Sequence, residues 1–416
     1  MDDLPRSWRE VKKPSRIIGL QTIFAPGTNL RTTRIPATTW LFSCLVISLF
    51  VFVVFSLWDI VSTTDFGESD FRIYWSATYL LHKGENPYSI ELIKSVQQTQ
   101  VRSTLDANIM AWNPPFLFIF LLPLAWMSFT TAKFVWLLTN IILIITAGLM
   151  LTHLYMSAAS PRIKLAFLIF VMGFPAVITG LYMGQVTFLV FWGLVACMTL
   201  IRKEQWFWAG AVLILTTIKP HIVILPVIYV LLYMARRRKY QGWAGLAIAG
   251  FVCFAILLMF RSDLLYNLLG ETSVANGRWA TSTIGGLLSY LGLSEAGRYL
   301  ILILLPLPFL LEKHPEKINM ELSVALLTLI TIPTTFFGWS YDQTMLLIPI
   351  AQVFSWLIRS KYNLPIIICI TCVMALNYFQ RVWPINEVYY VWIPLIWWFV
   401  FGAAWRNVSV LNNNHV

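Results

Sequence analysis

Residues 40–57 read WLFSCLVISLFVFVVFSL, eighteen positions without a charge, a proline or a glycine. As a helix rising about 1.5 Å per residue the run is roughly 27 Å long, close to the ~30 Å hydrocarbon core of a bilayer. Comparable runs follow at 135–151, 245–260 and 391–404. The 416 residues are 58% hydrophobic and 12% charged, with a mean hydropathy of +0.71. A soluble domain carries about 25% charged residues, so a soluble fold is excluded and an all-α polytopic membrane protein is expected.

Upstream of the first run lies a polar leader, 1–36, too long and irregular for a secretory signal, so the first span is read as uncleaved. The net charge of +11 points to the cytoplasmic loops of a membrane protein and not to nucleic acid, because the basic residues sit in short clusters between apolar runs. Those clusters are the leader, Arg202/Lys203, Arg236 to Lys239, Lys313/Lys317 and Arg359/Lys361. Cytoplasmic placement of each puts the N-terminus and the tail 406–416 inside, and segments 62–113 and 261–298 outside. All five cysteines lie inside apolar runs, where even the C-x-x-C at Cys369 and Cys372 reads as two small residues on one helical face, with no disulfide framework.

Expected spans are 37–58, 114–128, 134–156, 164–182, 186–201, 206–218, 221–235, 243–260, 299–311, 319–337, 344–358, 364–379 and 388–405, some 11–13 transmembrane or re-entrant helices in a single domain, 37–405. The pieces flanking Lys219-Pro220 are each too short to cross and read as two half-depth helices meeting at a break. Between Asn113 and Arg202 the count is even where sidedness requires an odd one. One of 114–128, 164–182 or 186–201 is therefore re-entrant or split. No internal repeat is visible, which gives no support to an inverted-repeat transporter.

Segment 62–113 is too polar to span and too apolar to be a free linker. Phe71, Tyr74, Trp75, Thr78, Leu81 and His82 recur at helical spacing, which predicts an amphipathic helix on the membrane surface, broken at Gly84-Glu-Asn-Pro-Tyr88. Asp70 opens that helix. A carboxylate there is placed either to take a proton from a bound hydroxyl or to cap the helix, and the residues alone divide evenly between the two. Lys219, between two apolar pieces, requires an anion or water nearby, or snorkels to an interface. Gln185, after Gly184 at a break, either bonds a sugar hydroxyl or satisfies backbone exposed at the kink. Asp342 faces a cavity or pairs with a buried cation. Arg72, Arg278 and Arg381 could each fork a phosphate, or serve as interfacial anchors. No nucleotide-binding, zinc or serine-hydrolase pattern occurs, and Glu68-x-Asp70 alone is a poor divalent site, so neither cofactor nor metal is expected.

The sequence DFRIYWSATYLLHKGENPY at 70–88, with the NPP opening at 113–115, Gly184-Gln185, Lys219-Pro220 and Tyr341-Asp342 before LLIP at 346–349, resembles glycosyltransferase family 87. These are the polyprenol-phosphate-mannose-dependent α-mannosyltransferases of the multi-spanning GT-C fold. The resemblance implies Asp70 as general base in an inverting transfer from a polyprenyl-phosphate sugar to a glycan or glycolipid hydroxyl, outside a prokaryotic plasma membrane. Lys219 with His221, Arg72 and Arg278 would then attend the donor phosphate and lipid. Tyr74, Trp75, Asn86, Tyr88, Gln185, Tyr341 and Asp342 would line the sugar and acceptor. Where many relatives carry a histidine pair this chain reads Ser340-Tyr-Asp342, so no histidine role carries over to that point. The rival readings are a polymerase or ligase of lipid-linked glycans and a transporter or flippase.

Overall fold

The computed structural model describes residues 37–63, 65–101, 111–274, 279–313, 319–359, 364–382 and 385–413. Two compact units divide the chain, Met1–Cys44 and Leu45–Val416. Of the first only the opening turns of helix α1 (Ala37–Ser62) are described; everything below concerns the second.

Every regular element among the described residues is helical. After α1 come α2 (Asp70–His82), α3 (Ile90–Val96) and α4 (Phe116–Leu121), then the long α5 (Phe129–Tyr155). Next are α6 (Pro161–Met172), α7 (Pro175–Met183), α8 (Thr187–Arg202), α9 (Trp206–Val212), α10 (Ile224–Arg236) and α11 (Tyr240–Phe260). Four shorter helices follow, α12 (Leu264–Val274), α13 (Ile284–Tyr290), α14 (Leu300–Leu304) and α15 (Leu307–Glu312). The chain closes with α16 (Met320–Thr334), α17 (Leu347–Arg359), α18 (Leu364–Val382) and α19 (Trp392–Asn413). The stretches 43–62, 129–155, 240–260 and 387–407 are each long and apolar enough to cross a bilayer, and α6 with α7 makes a fifth span bent by 48°. Phe55 and Phe251 are about 70% exposed (68% and 72%) on α1 and α11, whereas the polar side chains of the site described below are buried. Apolar outside and polar inside is the arrangement a lipid solvent selects. The protein is an all-α polytopic membrane protein.

The helices run between two poles. Lys133, at the start of α5, lies 3.9 Å from Glu68 beside the start of α2. At the other end of α5 the Tyr155 hydroxyl donates to the Glu321 carbonyl (3.0 Å), and Arg202 at the end of α8 donates to Leu154 O (2.7 Å). The bent α6–α7 pair returns to the first pole, where Gly67 N–H donates to Tyr182 O (2.8 Å). Three passes, α5, α6–α7 and α8, thus join Asn113 to Arg202, which resolves the odd count. The segment that does not cross is 114–128, while 164–182 makes one pass bent at Gly173-Phe174-Pro175, where proline has no N–H to continue the ladder. The apolar piece 116–126 stays at the Asp70 pole, packed on α2.

Helix α2 is not the surface helix its periodicity predicts. Ten of its thirteen residues are buried, Arg72 and Thr78 among them. Tertiary cover from α4, α5 and the end of α7 overrides the amphipathic pattern. At the far side α9 and α11 meet backbone to backbone: a Cβ on Gly210 would fall 1.7 Å from Gly242 O, and one on Gly245 2.0 Å from Phe207 O. Small residues permit this approach, which helices in lipid need because tails supply no hydrophobic drive between them.

Candidate active site at the Asp70 pole

Four interruptions of helical backbone converge at this pole. The first is Gly184, the cap of α7, in the left-handed region with φ +70°. A Cβ there would also stand 2.5 Å from Phe71 Cβ, so only glycine serves both the turn and the close approach of α2. Its carbonyl accepts from Trp136 Nε1 (2.9 Å), and that of Gln185 from Asn140 Nδ2 (3.3 Å).

The second interruption is Lys219-Pro220. A residue before proline is driven out of the α region, and Lys219 is extended at φ −138°, ψ 72° between the 3₁₀ turns Leu213–Ile218 and Pro220–Ile222. The freed carbonyls are satisfied from outside: Ile218 O by Asn113 Nδ2 (3.1 Å) and His221 O by Thr335 Oγ1 (2.8 Å). That is how broken helices persist at membrane depth. The third and fourth interruptions are the start of α2 and the 3₁₀ turn Ser340–Leu346 ahead of α17.

The side chains of these four breaks form one network. Lys219 Nζ donates to Asp342 Oδ1 (2.9 Å), Gln185 Oε1 (3.1 Å) and Thr187 Oγ1 (3.1 Å), so all three ammonium hydrogens are used. It also lies 4.7 Å from the centre of the Tyr341 ring. Thr187 passes its own proton to Asp342 Oδ1 (2.6 Å), and Asp342 Oδ2 accepts from Trp339 N–H (3.1 Å). Gln185 bridges to the remaining acid: its Nε2 donates to Asp70 Oδ2, while Oε1 also accepts from the Tyr74 hydroxyl (3.4 Å). The Ser69 and Tyr341 hydroxyls complete the Asp70 shell. Burial pushes the Asp70 carboxyl above its ordinary value, opposed first by the Lys219 charge.

Asp70 is the first residue of α2, Ser69 is the N-cap position, and no side chain caps this end. The carboxylate is turned to Gln185 and not onto helix amides. Of the two readings of Asp342, the structure shows the buried partner of a lysine. The Gln185 side chain links an acid to a lysine, while the backbone at the break is satisfied by Trp136 and Asn140. Among the phosphate candidates, Lys219 is held as above, and His221 Nε2 is buried with no hydrogen-bond partner in the structure. Arg72 is buried within electrostatic range of Glu68 and Asp70. Arg278 lies outside the described residues, as does the side chain of Arg381.

Three expected sugar contacts sit elsewhere. The Trp75 indole N–H is taken by Leu124 O (3.0 Å), Asn86 Oδ1 accepts from Tyr88 N–H (3.0 Å) within its own turn, and the Tyr88 hydroxyl donates to Asn113 O (3.1 Å). Each holds the segment in place. Sequence reasoning missed Asn140 and Thr187. The first had a signal, an amide in the middle of an apolar helix; a threonine at a span end has none. No group of three or more His, Cys, Asp or Glu that could hold a metal occurs among the described residues.

A carboxylate, an amide and a lysine in one buried network, at the broken ends of membrane helices, suit proton and group transfer on a polar substrate. The profile of glycosyltransferase family 87 matches residues 112–333, more than half of the chain. The chain belongs to glycosyltransferase family 87. No curated protein and no solved structure matches it. In this family 87 glycosyltransferase the matched stretch carries Asn140, Gln185, Thr187 and Lys219. Asp70 and Asp342 lie outside it on either side, joined to it by the hydrogen bonds just described.

Proposed function

We propose that this glycosyltransferase moves a hexose, mannose on the family resemblance, from a polyprenyl-phosphate carrier to an acceptor hydroxyl at the Asp70 pole, with inversion, within a GT-C architecture. The observation that carries the reading is the placement of Asp70: a carboxylate of raised proton affinity, held by Gln185 and by the Tyr341 and Ser69 hydroxyls. Asp70 takes the acceptor's O–H proton as that oxygen bonds the anomeric carbon. The bond from that carbon to the phosphate oxygen breaks on the opposite face, and the carrier leaves as a polyprenyl phosphate. The Lys219 charge favours the ionised form of Asp70 against the effect of burial, and in this reading the positive charge of Lys219, with His221, would steady the leaving phosphate.

Depth supports a lipid carrier. From Trp206 to Ile218 is thirteen residues, seven α-helical and six 3₁₀, about 22 Å from the basic pole, which leaves Lys219 roughly 8 Å short of the far surface of a ~30 Å core. A headgroup whose tail lies between helices reaches that level. The arginine-rich pole belongs in the cytoplasm by the positive-inside rule, which sets Asp70 outside. The turns described there after residue 44, such as 203–205 and 237–239, hold no room for a nucleotide-binding domain.

Purified protein given polyprenyl-phosphate mannose, and separately the nucleotide sugar, tests the donor. Turnover with the nucleotide sugar alone overturns the reading. A cysteine at Ser69 is expected to react with an impermeant thiol reagent in intact cells and one at Arg237 to be protected; the reverse would invert the topology.

A further inference from the structure

One acid at the Asp70 pole takes no part in the proposed transfer. Glu387 opens the last span, 387–407, and the 3₁₀ turn Glu387–Val391 ahead of α19. An ionisable residue at such a place calls for a partner, yet among the described residues no lysine or arginine pairs with it. Its two oxygens take two hydrogens of one serine instead: Oε2 accepts from Ser340 N–H (2.9 Å) and Oε1 from the Ser340 hydroxyl (2.8 Å). We propose that Glu387 is a positioning residue of the transfer site, which holds the turn at Ser340 so that Tyr341 and Asp342 meet Asp70 and Lys219. The proposal rests on the reading of Asp70 and Lys219 as the reacting groups.

Ser340 opens its own 3₁₀ turn, Ser340–Leu346, so its N–H is one of the first-turn donors that no helical carbonyl reaches. A carboxylate suits such a group, because an ionised acceptor makes the shorter and stronger bond. Residues three apart eclipse in a 3₁₀ turn. Ser340 and Gln343 therefore share one face of the first turn, and Glu387 and Tyr390 share one face of the second. The other two members of these faces bond as well, Gln343 Nε2 donating to Tyr390 O (2.9 Å). The two turns are thus joined at two points. Asn386 caps the second turn by accepting from Val388 N–H (3.2 Å), so the holder is itself fixed.

The residues between these two joints are the ones the site uses. Tyr341 brings its hydroxyl to Asp70 and its ring to 4.7 Å from Lys219 Nζ. Asp342 takes Lys219 itself at 2.9 Å. Both are aimed by the turn that Ser340 starts, so a displaced turn loosens the Asp70 shell and the lysine together. Misplacement by about 1 Å can cost on the order of 10²-fold in rate. Glu387 also lies within electrostatic range of Asp342 and Asp70, so a direct effect of its charge has to be separated from its hold on Ser340.

Membranes from cells that make the full-length protein are given labelled polyprenyl-phosphate mannose, or the nucleotide sugar if only that supports turnover. Transfer to the endogenous acceptor is then measured per folded molecule. Glu387→Asp keeps the charge and draws the carboxylate back by one methylene. It should lower transfer about tenfold or more and move the acidic limb of kcat/KM upward. Tyr341→Phe should move the limb the same way, by taking a hydrogen bond from ionised Asp70. The charged groups around Asp70, namely Lys219, Asp342, Arg72 and Glu387, keep their charge in both variants. In the Tyr341→Phe background Glu387→Asp should shift the limb less, and cost less rate, than it does in wild type. Ser340→Ala gives up only the hydroxyl bond; it should act in the same direction by about threefold, and it replaces Glu387→Asp if that variant fails to fold. An unchanged rate, a lost rate with an unmoved limb, or losses that simply add in the double variant each overturn the positioning role. A limb that moves down in Glu387→Gln while the rate holds overturns it too, in favour of charge alone. If Asp70→Asn retains its rate, the base reading falls, and Glu387 is judged by the rate cycle with Tyr341→Phe: coupled losses uphold it and additive losses overturn it.

Discussion

Each pole of the molecule holds a buried acid against a base, and the two pairs are built differently. At the Asp70 pole both members of Lys219–Asp342 are buried, with side chains 6% and 1% exposed, and every proton on the lysine is spoken for by groups from other helix breaks. At the basic pole Glu312 is equally buried, but its partner Arg237 is 34% exposed and stacks on Tyr233 at 3.5 Å. Arg236 adds a bond to the Glu312 carbonyl (2.7 Å). The first pair is desolvated and repays that cost only because a whole network satisfies it; the second keeps one foot in water and ties the ends of α10 and α15. A fully desolvated, fully bonded charge marks the pole where chemistry is proposed. A half-wet one marks an anchor.

The largest effect should come from Asp70→Asn, which keeps shape and removes the base. Transfer is expected to fall by about 10²- to 10⁴-fold with little change in melting temperature. In wild type the acidic limb of kcat/KM should lie above the ordinary carboxylate range, because the base works ionised and burial raises its affinity for the proton. Activity then climbs as pH rises through that value, and the limb should vanish from any residual rate of Asp70→Asn. A limb in the ordinary range, or more than a tenth of the wild-type rate in the variant, would place the base elsewhere.

Next in size is Lys219→Met, which strands Asp342 and should cost about 3–5 kcal/mol in chemical denaturation. Lys219→Met with Asp342→Asn should recover much of that stability but not transfer. Recovery of both would make the pair purely structural and erase the contrast between the poles.

Gly184→Ala combines a disfavoured φ, worth about 1–2 kcal/mol, with a collision against Phe71. It should move the start of α2, and transfer per folded molecule should drop more than stability does; the reverse would show that the Gly184 turn does not position Asp70.

The smallest effect is expected at the basic pole. Glu312→Gln weakens a pair already half in water and should cost about 1–2 kcal/mol, with transfer per folded molecule within twofold of wild type. A larger loss of transfer would mean that the two poles are coupled.

Periodicity and length made the membrane helices legible, because spans in lipid must satisfy their own backbone and cannot hide their apolar faces. The half-helices around Lys219-Pro220 were legible for the same reason: a proline and a charge inside an apolar run admit few structures. Asp70, Gln185, Lys219 and Asp342 could each be singled out from chemistry and position. What each one does could not. That Asp342 met a cation turned on a lysine 123 positions away in sequence, and the same lysine reaches Gln185 from 34 positions away. Even the local pattern of α2 misled, since tertiary cover buried the face that its spacing assigned to water. The sequence alone determined the solvent of this protein and the places where its helices break, because both are local consequences of side-chain polarity and backbone freedom. Only the tertiary structure decided which breaks meet, because hydrogen-bond partners are chosen by three-dimensional proximity, and no local property of a chain encodes that.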